Sequence, residues 1–217
     1  MASSLFINTF HVCFESVLAM DDQVIHEAEL LEFFENGYFR DGFVVSTVNG
    51  IAVEISEQLF AETFELPVEV LTDLTEIPKD LVFDTRSIVS LSGEPVSTFG
   101  KKKEMKIEFR LLCDIFAKTI SVKAGSFDAL TMEKFQMLTA IICEVKINWN
   151  RVLFNIFKDM VTARSRQAKG YAIQISLLLE NIPNLELGES SEFPSSKILT
   201  KKTVHCYVVL NEKVGAE

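Results

Sequence analysis

The chain has 217 residues, 48% of them hydrophobic and 18 of them phenylalanine, and it carries a net charge of −10 at pH 7. A chain so rich in apolar rings is not intrinsically disordered, and a domain of this length removes about 70% of its unfolded surface from water. The charge is divided unevenly: residues 1–99 hold 18 acidic and three basic residues, whereas residues 100–217 hold 13 acidic and 18 basic ones. Such an asymmetry can orient two parts of one fold or two copies of the chain, and it can present a basic face to nucleic acid.

The sequence predicts an intracellular protein, in the cytoplasm or the nucleus, that does not associate with membranes. No uninterrupted apolar run approaches the ~18 residues that a membrane span needs. Residues 1–20 lack the positively charged start of a signal peptide. No two cysteines form a CxxC pair, and Cys113 and Cys143 lie among apolar residues on predicted helices, where a reduced cysteine packs as a small hydrophobe, so a reducing compartment is expected. The four cysteines are Cys13, Cys113, Cys143 and Cys206.

Residues 1–26 are predicted to form an irregular lead-in, and a short helix is predicted to follow from Glu27 to Phe34. Acidic residues and apolar residues alternate there with helical spacing. Asn36-Gly37 is expected to end the helix, because both residue types tolerate a positive φ angle.

A β-hairpin is predicted over residues 43–55. Asn49-Gly50 separates two β-branched runs, and this dipeptide suits a type I′ turn, in which both central residues have a positive φ angle. Ser56 follows the second strand and is a favourable N-cap, because its hydroxyl can accept from the free amides of a helical first turn. A helix is therefore expected to continue to Phe64 and to end before Pro67.

Residues 67–100 are predicted to form a long connection that contains one short helix from Lys79 to Phe83. Proline, glycine, serine and threonine are scattered along it, and an irregular connection of this length is unusual in a compact domain. It is the predicted boundary between an acidic N-terminal part and a helical part. Lys101–Lys103 are expected to precede the next helix, because three lysines at a helix N-terminus would oppose the macrodipole.

Helical periodicity dominates the second half of the chain. Trp149, Leu153, Ile156 and Met160 recur at spacings of four, three and four, so they share one helix face that is expected to be buried. Three further helices have apolar faces of the same kind: Met105, Phe109, Leu112 and Phe116; Phe135, Leu138, Ile142 and Val145; and Tyr171, Ile175, Leu178 and Ile182. Ile198–Leu210 fits either a strand or a helix, and a last helix is favoured there.

These elements predict an α+β fold that is predominantly α-helical, with a helical core and one β-hairpin near residues 43–55. The predicted organisation is a lead-in, one domain over residues 27–210 and a short tail over 211–217. Within that domain, the predicted parts are an acidic hairpin-containing part (27–66), the long connection (67–100) and the helical core (101–210).

The sequence contains no motif that would identify an enzyme. No phosphate-binding loop, dinucleotide fingerprint, nucleophile elbow or HExxH pair occurs. His11 with Cys13 and His205 with Cys206 lack the spacing of a closed zinc site. No catalytic, cofactor-binding or metal-binding residue is therefore predicted. The candidate contacts to an anion or a nucleic acid are Lys101, Lys102, Lys103, Arg164, Arg166 and Lys169.

Several segments resemble one family. They are Leu31-Glu32-Phe33-Phe34-Glu35-Asn36, the hairpin from Val44 to Ser56, Phe64-Glu65-Leu66-Pro67, Asn148-Trp149-Asn150, Lys169-Gly170-Tyr171-Ala172-Ile173-Gln174-Ile175, and Phe193-Pro194. In these segments the chain is similar to the plant transposon protein domain family, which is associated with plant retrotransposons. The resemblance covers residues 28–205.

The resemblance implies no active site, because the family has no established catalytic residues and no accepted activity. It implies a non-enzymatic domain of plant retrotransposon origin, and we expect a protein–protein interaction or self-association module. The alternative is a nucleic-acid-binding accessory protein of a retroelement that uses the basic C-terminal half. A protein partner is favoured, nucleic acid stays open as a second partner, and no cofactor is expected.

Overall fold

The computed structural model describes residues 24–68, 72–119, 130–162, 171–192 and Val209. The strands are β1 (Val24–Ile25), β2 (Tyr38–Arg40), β3 (Phe43–Val48), β4 (Ile51–Ser56) and β5 (Ser191–Glu192). The helices are α1 (Glu27–Asn36), α2 (Glu57–Thr63), α3 (Lys79–Ile88), α4 (Ile107–Thr119), α5 (Met132–Ile142), α6 (Trp149–Thr162) and α7 (Ala172–Glu180). The predicted α+β, predominantly helical fold class is confirmed. The predicted tail and residues 1–23 of the predicted lead-in lie outside the described residues, as does all of the predicted Ile198–Leu210 helix except Val209.

Strands β2, β3 and β4 form an antiparallel sheet in that order. The predicted hairpin is confirmed, because β3 pairs with β4 and because Asn49 and Gly50 have φ angles of 50° and 75°. A second turn of the same kind joins β2 to β3, with φ angles of 52° at Asp41 and 89° at Gly42. Strand β2 was not predicted from the sequence. It adds a third strand to the predicted hairpin, which is therefore part of a three-stranded sheet.

The two predicted N-terminal helices are confirmed as α1 and α2. Ser56 caps α2 as predicted, since its Oγ accepts a hydrogen bond of 3.0 Å from the backbone N–H of Leu59. The expected reason for the end of α1 is wrong, because Gly37 has a φ angle of −73°. Gly37 instead allows its backbone to lie close to Phe33 and Val161. A Cβ atom at this position would lie 2.8 Å from the carbonyl oxygen of Phe33 and 3.2 Å from Cγ1 of Val161.

The described part of the predicted connection, residues 67–68 and 72–100, is more ordered than predicted. The short helix expected from Lys79 to Phe83 is present and continues to Ile88 as α3. A 3₁₀ turn at Leu74–Glu76 precedes it. Lys101–Lys103 precede α4 as predicted, and two of them lie in a second 3₁₀ turn, Lys102–Glu104.

The buried residues form two hydrophobic clusters that do not follow chain order. The first cluster contains α1, the inner face of the sheet, α2, most of α6 and α7, and the second contains α3, α4 and α5. We call the described residues around the first cluster (24–68, 149–162 and 171–192) the acidic lobe. We call the described residues around the second cluster (72–119 and 130–148) the second lobe. The second lobe starts and ends at neighbouring points, because Thr72 forms a parallel bridge with Ile147. It is therefore an insertion between two segments of the acidic lobe.

The predicted buried face of α6 is offset by one residue. Trp149, Leu153 and Ile156 are only partly buried, whereas Phe154 and Phe157 are buried. Only Met160 of the predicted face is fully buried as expected. The correction has a tertiary cause, since the face that meets the rings of α1 and α2 is the one that carries the two phenylalanines.

The predicted faces of the other helices are confirmed in large part. The four residues predicted to share a face on α4 and just before it are all buried. The four predicted on α7 and beside its ends are also buried, as are Phe135 and Leu138 on α5. Ile142 and Val145 are partly buried against the second cluster. Apolar periodicity therefore identified these faces correctly.

Phe157 has no exposed surface and packs against the rings of Phe33, Phe60 and Tyr171 at centroid distances of 5.9, 5.9 and 6.4 Å. We expect Phe157→Ala to lower the free energy of unfolding by about 3–5 kcal/mol, because it removes a ring and leaves a cavity. Urea unfolding followed by circular dichroism measures the change. The matched control is Phe99→Ala, at a ring that is 95% exposed, for which we expect a change within about 0.5 kcal/mol. Equal effects of the two substitutions would contradict the packing described here.

Candidate functional site

The outer face of the three-stranded sheet carries exposed aromatic rings. Side chains alternate between the two faces of a strand, and directly opposed residues share a face. The register opposes Tyr38 to Val45 and Arg40 to Phe43, so these four side chains lie together on the face opposite the buried Val44. We call these four residues the outer sheet face.

The two rings of the outer sheet face are only partly shielded from water. Tyr38 is 45% exposed and Phe43 is 39% exposed, although Val45 between them is buried. The guanidinium carbon of Arg40 lies 5.8 Å from the centre of the Tyr38 ring, and its Nε lies 3.6 Å from Oδ2 of Asp41. The face can therefore accept a flat apolar group, and its rings can attract a cation.

The described residues of the lobe that carries this face have a strongly negative net charge. The acidic lobe contains 14 acidic and three basic residues, hence −11, whereas the second lobe contains ten of each, hence zero. Glu54 lies on the outer face beside Val45 and is exposed, as is Asp41. A ligand with positive charge is therefore favoured at the outer sheet face, and phosphate is disfavoured.

The predicted anion contacts are only partly described. Lys101 and Lys103 are exposed. Lys102 differs from both, because its ammonium group forms an ion pair with the carboxylate of Asp114 and both side chains are largely buried. Arg164, Arg166 and Lys169 lie outside the described residues.

One residue beside these lysines was missed by the sequence analysis. The ring of Phe99 is 95% exposed, the most exposed large hydrophobic side chain of the described residues. Its position two residues before Lys101, in a turn rich in Ser, Thr and Gly, is the signal that could have revealed it. The signal for Tyr38 and Phe43 was the Asp41-Gly42 turn between two aromatic segments.

A cluster of ionisable groups lies elsewhere in the acidic lobe, where segment 183–192 crosses the start of α1. The carboxylate of Glu29 accepts a hydrogen bond of 2.8 Å from the backbone N–H of Gly188. The Nδ1 atom of His26 lies 3.2 Å from the carbonyl oxygen of Gly188, and its Nε2 lies 3.6 Å from Oε1 of Glu180. Asn49 also donates to the carbonyl of Glu186 at 3.0 Å. The cluster fastens this segment to the hairpin turn.

The described residues offer few groups for chemistry. In the ranges that the structure describes, no group of three His, Cys, Asp or Glu side chains is placed to hold a metal ion, and His11, Cys13, His205 and Cys206 lie outside those ranges. Burial raises the pKa of the Cys113 thiol to about 12, so this thiol is not ionised near neutral pH. The longest helix of these ranges, α6, has 14 residues, and no helix there has the length and apolarity to cross a membrane.

Comparisons with known proteins find nothing similar: no family model, no curated protein and no solved structure matches this chain. The resemblance to the plant transposon protein domain family therefore stays a prediction that depends on the sequence segments given above.

Glu29 predicts a pH dependence of stability. Burial raises the pKa of its carboxyl group, but the N–H of Gly188, together with other donors and His26, outweighs burial and holds the pKa below its ordinary value of 4.5. The unfolded chain therefore takes up this proton at a higher pH than the folded chain, so the stabilisation is present above about pH 4.5 and is lost as the pH falls further. We expect Glu29→Gln to lower the free energy of unfolding by about 1 kcal/mol near neutral pH and to be nearly neutral in strong acid.

Urea unfolding of wild type and Glu29→Gln between neutral pH and strong acid checks this expectation. The matched control is Glu35→Gln, an exposed carboxylate on the same helix, whose substitution should leave the pH profile unchanged. A constant difference between wild type and Glu29→Gln across the whole pH range would refute the assigned role.

Proposed function

We propose that this protein is a non-enzymatic protein-interaction module that binds a basic segment of a partner protein on the outer sheet face. The observation that carries the proposal is the pair of exposed rings, Tyr38 and Phe43, in a lobe with 14 acidic and three basic residues. Exposed apolar patches on folded domains mark interaction surfaces. Plant retrotransposon origin and an intracellular location belong to the proposal and derive from the sequence alone.

The chemistry of the outer sheet face favours a partner that combines positive charge with an apolar group. Aromatic rings at the centre of an interface contribute most of its binding energy, and surrounding charges set specificity and the rate of association. Asp41 and Glu54 are the exposed carboxylates nearest to the rings in the sheet register. Lysine or arginine side chains of a partner would pair with them while an apolar side chain contacts Tyr38 and Phe43.

A second candidate function is nucleic-acid binding by the basic residues of the second half, and Phe99 is the observation that favours it. A ring beside lysines can stack on a base while the lysines contact phosphates. Two observations weigh against it: Lys102 is paired with Asp114, and the acidic lobe repels phosphate. Protein binding is therefore the stronger proposal.

The test is binding of a short fluorescein-labelled peptide rich in lysine with one phenylalanine, measured by fluorescence anisotropy at low salt. We expect Tyr38→Ser with Phe43→Ser to weaken binding at least about tenfold, because it removes about 2 kcal/mol of ring contact. The matched control is Phe83→Ser, at a ring of the second lobe that is 53% exposed, which should bind the peptide like wild type. Equal binding of the peptide by wild type, the double variant and Phe83→Ser would overturn the proposal, as would the absence of binding to wild type.

Arg40 provides an independent prediction. Its guanidinium carbon lies over the Tyr38 ring, 5.8 Å from the ring centre, and its charge repels a basic ligand. Arg40→Ala should therefore expose the ring and remove a like charge. We expect the peptide to bind about two- to fivefold more tightly, corresponding to a cation–π contribution of about 0.5–1 kcal/mol. Anisotropy titrations at low and high salt measure the change. Weaker binding by Arg40→Ala would mean that the site takes an anionic ligand.

A further inference from the structure

The loop from Phe99 to Lys103, which we call the basic loop, presents its side chains from a firmly held backbone. The backbone N–H groups of Phe99 and Gly100 donate to Oγ and the carbonyl oxygen of Ser97, at 3.2 and 2.9 Å. Lys103 at the end of the loop and Met105 beyond it are held as well, because Arg110 donates to the carbonyls of both residues at 2.6 Å each.

The alternation of side chains in the basic loop separates an anchor from a contact surface. Lys102 points inward to Asp114 and fastens the loop to α4. Lys101, Lys103 and the ring of Phe99 remain exposed to solvent. The contact surface therefore contains one aromatic ring and two cations on a backbone that is held by a turn and an ion pair, so that little backbone conformational entropy is lost on binding.

The basic loop has the chemistry that the outer sheet face favours, namely an aromatic ring with lysines at its side. The rings of Tyr38, Phe43 and Phe99 are all exposed, so the two surfaces do not cover each other within one chain. We propose that the partner is a second copy of this chain, and that the basic loop of one copy docks on the outer sheet face of the next. This inference rests on the proposed function, since it names the occupant of the same site.

Contact between two different surfaces is heterologous, and each copy keeps one surface of each kind available. Such association continues until it closes into a ring, or it forms open chains. The attraction joins lysines to the carboxylates of the acidic lobe, so it weakens as salt screens exposed charges. Head-to-tail assembly that depends on both concentration and salt is the expected behaviour.

Sedimentation velocity and equilibrium of the full chain test the proposal. At about 50 mM salt we expect the average mass to rise above the 24.5 kDa of one chain with increasing protein concentration, and at about 0.5 M salt to return towards it. Two variants should each stay at the mass of one chain: the loop variant Phe99→Ser with Lys101→Glu and Lys103→Glu, and the face variant Tyr38→Ser with Phe43→Ser. The matched control is Lys79→Glu, an exposed lysine of the second lobe, which should assemble like wild type.

A mixture of the two variants provides the decisive measurement. The loop variant retains an intact outer sheet face, and the face variant retains an intact basic loop. We therefore expect the mixture to form dimers of one copy of each, and to form nothing larger, because neither copy can extend the assembly. Urea unfolding of both variants verifies that these exposed substitutions leave the fold intact.

The outcomes separate this inference from the proposed function. If wild type keeps the mass of one chain at all concentrations and salts while the basic peptide still binds, the second copy is not the partner and the proposed function stands. If the peptide also fails to bind, both fail. If a labelled single-stranded oligonucleotide binds wild type and not the loop variant while no assembly occurs, the basic loop is a nucleic-acid site and the inference is overturned. Assembly that survives in either variant overturns it as well.

Discussion

The packing of Phe157 against the rings of Phe33, Phe60 and Tyr171 is the contact on which the rest of the structure depends. These rings come from α1, α2 and the residue before α7, so the contact joins segments that are far apart in the chain. The entropy of closing a loop grows only slowly with its length, so one dense aromatic cluster can hold both ends of the acidic lobe together. The second lobe is then confined to an insertion whose ends meet at Thr72 and Ile147.

This connectivity changes what the charge distribution means. The sequence divides at residue 100 into parts of −15 and +5, which suggests an acidic half facing a basic half. In three dimensions α6, α7 and residues 181–192 return to the first cluster, and the described residues of the acidic lobe and of the second lobe carry −11 and zero. Acidic residues of both sequence halves therefore lie in one lobe, and Lys101 and Lys103 are exposed basic residues of the other. The proposed attraction between copies joins the basic loop to the acidic lobe.

Local sequence signals predicted the secondary-structure elements well, whereas the faces of those elements that become buried were harder to predict. Asn49-Gly50 acts through its own backbone, and Ser56 acts through a side-chain hydrogen bond to the N–H of Leu59, so the turn and the cap both follow from the local sequence. Asp41-Gly42 carries the same signal, yet β2 has three residues and no buried alternation that would identify a strand. The face of α6 was misplaced by one residue because both Leu153 and Phe154 fit a helical period, and only the rings of the neighbouring helices select Phe154. The outer sheet face depends on that unpredicted strand, so periodicity alone could not reveal it.

The exposed rings differ in whether they also stabilise the folded chain. Tyr38 and Phe43 pair with residues on the neighbouring strand, and such cross-strand pairs stabilise a sheet by about 0.2–1 kcal/mol, so their presence has a structural reason as well as a binding one. Phe99 has no such reason, because its ring is 95% exposed in a turn that is fastened by Ser97 and Lys102. A ring that contributes so little to the folded state gains contacts only when another surface covers it. The case for association therefore depends on Phe99 more than on the sheet, because its exposure is the feature that the packing of the described residues leaves unexplained.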